Sequence, residues 1–153
     1  MIPSLPDNTG TQLALGILLI ALCVALEAVA TVLVLEQRRR RKERIRQHYS
    51  IAYGIWHLVL VTTTLIAVHF VQIFVWVAAF LLTGAFERFY HATFYSFSTF
   101  TTLGFANYQP AVTWELMGAT EGACGAMLIG WTAAIIYAAG SSFYNDVVDG
   151  RAT

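Results

Sequence analysis

The sequence predicts an all-α integral membrane protein: three spanning helices, and a short helix and loop that enter the membrane without crossing it. Three observations carry this. Hydrophobic residues make up 58% of the 153 and charged residues only 12%, where an ordinary soluble domain carries about 25% charged. Three apolar runs, residues 11–35, 51–82 and 114–139, are each long enough to cross about 30 Å of hydrocarbon as a helix. Between the second and third runs lies an aromatic, hydroxyl-rich stretch, residues 92–110, too short and too polar to cross. The chain divides into residues 1–50 (lead, a peripheral first helix and basic loop), 51–140 (an outer helix, the stretch that follows it and an inner helix) and a short tail, 141–153.

Residues 1–10 are polar, with Pro3, Pro6 and Asp7, and read as a flexible lead. The run 11–35 has no basic segment before it and no small-residue cleavage site after it, so it is a permanent helix rather than a signal peptide. The net charge is zero, yet seven of the nine basic residues (Arg38, Arg39, Arg40, Arg41, Lys42, Arg44, Arg46) lie within the loop 36–50. Such a run at a helix end is a cytoplasmic membrane anchor, with 38–46 held at anionic headgroups, rather than a nucleic-acid site. Its arginines are contiguous and lie outside the apolar run, which excludes a voltage sensor.

The positive-inside rule then orients the chain. The N-terminus is outside, 92–110 lies on the outer face and the C-terminus is cytoplasmic. The second run exceeds one perpendicular crossing; tilt, or an interfacial first turn through Tyr53 and Trp56, takes up the excess. Residues 84–90, with Glu87 and Arg88, form a small outer turret. The two cysteines, Cys23 and Cys124, fall inside apolar runs and read as small buried hydrophobes.

Residues 92–100 read as a half-helix dotted with Ser and Thr, leading into Thr101-Thr102-Leu103-Gly104-Phe105-Ala106-Asn107. A cation leaving water needs backbone carbonyls and a threonine hydroxyl in place of its hydration shell. Glycine permits the left-handed backbone that turns successive carbonyls to one side. A short helix aimed at the path presents its negative end. The string Tyr-Ser-Phe-Ser-Thr-Phe-Thr-Thr-Leu-Gly-Phe resembles the re-entrant pore loop of potassium channels, whose filter reads Thr-Val-Gly-Tyr-Gly. Pro110, three residues before Trp114, resembles the opening of the inner helix in two-helix bacterial channels. The resemblance covers residues 51–140. It points to bacterial potassium channel proteins of the two-pore-domain-like ion-channel family that carry one pore loop per chain.

The resemblance implies a pore helix at 92–100, an aromatic cuff at Phe94 and Tyr95, and a filter at Thr101, Thr102, Leu103, Gly104, Phe105 and Ala106. Potassium ions would pass on backbone carbonyls and Thr102. One loop cannot encircle an ion, so it also implies a homotetramer lined by the third helix, in the plasma membrane, as in a bacterial inner membrane. Three departures stand out. Ala106 replaces the second glycine, and Phe105 replaces tyrosine. Ser98 and Asn107 replace a carboxylate pair behind the filter, and a neutral hydrogen bond between them is expected to substitute. Relaxed selectivity is the implied consequence.

Polar groups within the apolar runs are functional candidates. Glu27 lies about 12 Å from the inner end of the first helix. His57 is at similar depth in the second, so the two meet unless that helix is offset outward. Their contact would be a structural hydrogen bond or a proton sensor. His69 and Gln72 lie one turn apart. Glu121, two turns into the third helix, is expected to support the loop from behind through His69, Gln72 or a pore-helix hydroxyl; lining the pore is the other reading. Gly118, Gly122, Ala126 and Gly130 form a small-residue stripe suited to close packing, with Gly122 or Gly125 as a gating hinge in the sharper reading. Thr62, Thr63 and Thr64 bond their own helix.

No Ser/His/Asp order, metal-ligand spacing or phosphate loop points to an enzyme, and no cofactor beyond permeant potassium is implied. Two rivals to a channel remain: a small proton-coupled transporter using Glu27 and Glu121, and a non-conducting accessory subunit.

Overall fold

The computed structural model describes residues 8–44, 51–105 and 107–151, without the side chains of 38–44, 51, 53 and 146–151. Helix α1 is Thr9–Arg44, α2 is Ile51–Leu82, α3 is Phe89–Phe100, and α4 is Glu115–Arg151, entered through a 3₁₀ turn at Val112–Trp114. No strand occurs among the described residues. Three segments are long and apolar enough to cross a membrane: Thr9–Gln37, Gly54–Leu82 and Val112–Asn145.

Three boundaries differ from those expected. α1 does not stop at residue 35 but continues to Arg44, so the first part of the expected basic loop is helical. Gln, Glu, Arg and Lys are strong helix formers, and neither Gly nor Pro interrupts them. α4 likewise runs through most of the expected tail, to Arg151. α3 begins at Phe89 and takes the last residues of the expected turret. The expected headgroup contacts of 38–46 and the interfacial role of Tyr53 fall outside the described side chains.

Interhelical contacts fix the relative directions. The Asn8 side chain donates to the Thr113 carbonyl, Gln12 accepts from the Leu116 amide, and Thr132 bonds Glu27, at sequence offsets of 105, 104 and 105. Gly16 faces Thr120 in the same register. A constant offset means that α1 and α4 run parallel. α2 runs against both, since Gln72 meets Glu27, His69 meets Thr132, and Gly54 faces Phe143.

α1 packs along both α2 and α4 as a full member of the bundle. Its buried side carries Gln12, Cys23, Glu27, Ala30, Thr31 and Val34. Its outward side carries Ile17, Leu18, Leu22, Val29, Val32 and Leu33. The bulky aliphatic residues face out and the small and polar ones face in, the pattern suited to a lipid surface, where packing and hydrogen bonds rather than hydrophobic burial join helices. Cys23 and Cys124 are free and buried, and the core around them contains Trp76, Phe80, Phe100, Met117 and Leu128. Thr64 bonds the Leu60 carbonyl of its own helix, as expected.

Candidate functional site

α2 ends in a Schellman motif: the amides of Gly84 and Ala85 bond the carbonyls of Leu81 and Phe80, and Gly84 has φ +72°. The chain then turns back and α3 descends along α2. Tyr95 packs edge-on to Phe80, with centroids 5.5 Å apart. Phe97 packs on Phe70 at 5.5 Å. Phe100, at the end of the helix, reaches His69 at 5.8 Å. Phe80 and His69 are roughly 16 Å apart along α2 at 1.5 Å per residue, so α3 runs deep between α2 and α4. The loop after it returns to its starting level, where the Ala111 amide bonds the Ala85 carbonyl at 3.0 Å. The segment 85–111 therefore enters and leaves the bundle at one end, the end that also holds the start of α1.

Glycines on α4 permit this descent. A β-carbon on Gly118 would lie 2.0 Å from the Tyr95 hydroxyl oxygen, and one on Gly125 would lie 1.9 Å from the Phe100 carbonyl oxygen. Gly122 faces the Thr99 carbonyl. α4 is continuous through all three, and close packing accounts for them. The rest of the small-residue stripe does not take part: Ala126 is exposed and Gly130 has open space beside it.

α3 ends in a second Schellman motif. The Thr102 amide bonds the Thr99 carbonyl at 2.9 Å, and the Leu103 amide bonds the Ser98 carbonyl at 2.9 Å. The left-handed position held by Gly84 in the first motif is held here by Thr102, at φ +59°. It is the one non-glycine residue with positive φ among those described, and a β-branched side chain there is strained. Gly104 follows at φ +71°, and its amide also bonds the Ser98 carbonyl. Left-handed backbone thus alternates across Leu103. The amides of 102–104 all turn toward α3. The carbonyls of 101–105 accept from no backbone amide among the described residues.

Thr102, Leu103, Gly104 and Phe105 are exposed, Leu103 at 59% and Phe105 at 73%. With Phe94, Phe97, Ser98 and Thr101 the two side chains border a shallow cleft of about 240 Å³. Ala106 lies outside the described residues. The expected bond between Ser98 and Asn107 is not formed: Asn107 is exposed, and the buried Ser98 hydroxyl has no partner. Ser98 instead engages the loop through its carbonyl.

Of the expected aromatic pair, Tyr95 is buried in the core, whereas Phe94 joins an outward cluster. There Tyr108 stacks on His91, with centroids 3.9 Å apart and planes inclined by 15°, and meets Phe94 edge-on. The stack pins the returning arm of the loop to α3.

No family model, curated protein or solved structure matches the chain. The site is therefore read from its own geometry.

Behind α3, Glu121 is fully buried, with the Ser96 hydroxyl turned toward it. Neither group closes a direct hydrogen bond. The expected bonds from Glu121 to His69 or Gln72 are not formed, because those side chains belong to Glu27. Its carboxylate meets Gln72 Nε2 at 3.0 Å and Thr132 Oγ1 at 2.8 Å, with His69 Nδ1 3.9 Å away. His69 in turn meets Gln72 Oε1 at 2.7 Å and Thr132 Oγ1 at 2.9 Å. Glu27 therefore meets α2 at Gln72, about four turns beyond His57, correcting that expected contact. The physical reason is the axial offset of α2 against α1, which apolar run lengths alone do not fix.

Sequence reasoning missed Gln12, Thr132, His91 and Tyr108. The buried Gln12 accepts from the Leu116 amide at 3.0 Å and donates to Asn8, so the first turn of α4 is capped from α1. Gln12 did carry a signal, as an uncharged polar residue within an apolar run.

Proposed function

We propose that this chain is one subunit of a potassium-channel-like passive cation channel, with residues 101–106 forming the ion path in a homotetramer. The observation that carries it is the division of backbone polarity in the loop. The amides of 101–104 are spent on capping α3, while the carbonyls of 101–105 accept from no backbone amide among the described residues. Carbonyls left unclaimed beside a threonine are the ligand set a dehydrated cation requires. The alternation at Thr102 and Gly104 supports the same reading, as does an α3 whose carbonyl end lies deep between α2 and α4.

The exposed Leu103 and Phe105 are then the surface that neighbouring copies cover. α4 lines the pore, and Phe94 and Tyr95 support the filter from two sides. The protein lies in a plasma membrane, such as a bacterial inner membrane, with the loop outside and the 38–46 run at cytoplasmic headgroups. A small proton-coupled transporter using Glu27 and Glu121, or a non-conducting accessory subunit, would fail the test below.

The purified protein in planar bilayers is expected to pass cation current without a proton gradient, with a reversal potential that follows potassium over sodium. Ala106→Gly is expected to sharpen that preference. Tetramers that carry no current would overturn the channel reading, and flux that requires a proton gradient would replace it with the transporter.

A further inference from the structure

The network that joins α1, α2 and α4 constrains where its hydrogens lie. Gln72 meets two acceptors with one end, the Cys23 carbonyl at 3.2 Å and Glu27 Oε2 at 3.0 Å, so that end is its NH₂ group. Its carbonyl oxygen therefore faces His69 Nδ1 at 2.7 Å, and Nδ1 must carry a hydrogen. Thr132 has one hydroxyl hydrogen and stands between Glu27 Oε1 at 2.8 Å and His69 Nε2 at 2.9 Å.

Two arrangements satisfy every one of these atoms. In one, Thr132 donates to a Glu27 carboxylate, and Nε2 of a doubly protonated His69 donates to Thr132. In the other, a protonated Glu27 donates to Thr132, which donates to Nε2 of a neutral His69. No heavy atom differs between them. To pass from the second to the first, the Glu27 Oε1–H bond breaks as an O–H bond forms on Thr132. The original Thr132 O–H bond breaks as an N–H bond forms on Nε2. The site as a whole is neutral in both, which suits a buried carboxyl such as Glu27.

We propose that Glu27, Thr132 and His69 form a buried proton-binding site that holds one proton, shared between the carboxylate and the imidazole through the Thr132 hydroxyl. Taking that proton away leaves either Nε2 or Oε1 without a hydrogen to bond. A second proton turns two donors onto Thr132, strands its own hydrogen and leaves the site with a net positive charge. One proton is the only occupancy that keeps all the bonds, and with it three helices are tied together at one level. The groups facing His69 are Glu27 from α1, Gln72 on its own helix, Thr132 from α4 and, from α3, the ring of Phe100. This site does not rest on the conduction reading, and its test uses no current.

The test is nitrogen-15 magnetic resonance of histidine-labelled protein in lipid bilayers, with His69 assigned by the loss of its signals in His69→Gln. Infrared difference spectra against Glu27→Gln report the Glu27 carboxyl. The expected result is a hydrogen on Nδ1 and coupling between the two groups: an Nε2 signal that shifts in Glu27→Gln and a Glu27 carboxyl band that shifts in His69→Gln. Thr132→Ser is expected to keep the coupling and Thr132→Val to lose it. An Nδ1 without hydrogen in the wild-type protein overturns the proposal and needs no variant. So does an Nε2 signal left unchanged by Glu27→Gln, or coupling that persists in Thr132→Val.

Discussion

The Phe100 carbonyl oxygen lies where a β-carbon on Gly125 would approach to 1.9 Å. Backbone faces backbone at this crossing, so no side-chain rotation relieves a clash. Gly125→Ala is expected to destabilise the fold by about 1–3 kcal/mol, the usual cost of overpacking. Gly130→Ala, with open space beside it, is expected to be neutral or to stabilise by up to about 1 kcal/mol through helix propensity. Denaturant titration of the two variants in detergent checks the contrast.

Thr102 holds a left-handed position that Gly84 fills in the equivalent cap of α2. Thr102→Gly is expected to raise stability by about 1 kcal/mol by removing the β-carbon penalty. Under the channel reading it also removes a hydroxyl from the ion path and lowers potassium selectivity. Gain of stability with loss of selectivity, measured by thermal unfolding and reversal potential, marks a residue kept for function against its local preference.

Removing the Glu27 side chain takes one of two acceptors from the Gln72 amide and leaves Thr132 bonded to His69 alone, so the buried network loses its tie to α1 through the carboxyl. Glu27→Ala is expected to cost about 3 kcal/mol, as for breaking a buried polar network. Glu27→Gln, which keeps the shape, is expected to cost less. The order of the two thermal midpoints is the measurement.

Gln12 is the interhelical cap of α4. Gln12→Leu leaves the Leu116 amide without its acceptor and is expected to cost about 1–3 kcal/mol. Hydrogen exchange at Leu116 should rise in the variant more than exchange at the middle of α4. Equal protection in both proteins would count against the cap.

Hydropathy was enough to find the three long helices and to mark the stretch between the second and third as different. It misplaced their ends because it measures apolarity, whereas charged residues such as Arg39 and Lys42 propagate a helix readily beyond an apolar run. It also left the axial offset between helices undetermined. Glu27 was matched to His57 by depth alone, and the true partners, Gln72 and Thr132, follow only once helix registration is known. The left-handed backbone at Gly104 was legible from its residue type, whereas that at Thr102 was not, since a β-branched residue disfavours it. The missing bond between Ser98 and Asn107 was not legible, since it depends on the Ser98 carbonyl taking over as the anchor of the loop.

The parallel register of α1 and α4 also limits how the bundle can move. Asn8, Gln12, Gly16 and Glu27 each meet a partner on α4 or on the 3₁₀ turn that enters it, at nearly the same offset. Sliding α4 past α1 by one turn, about 5.4 Å, would break the present match at all four levels together. The two helices are keyed like a ratchet with a single tooth position. Under the channel reading, an opening motion of α4 that keeps these contacts tilts or rotates the pair as one body and carries α1 with it.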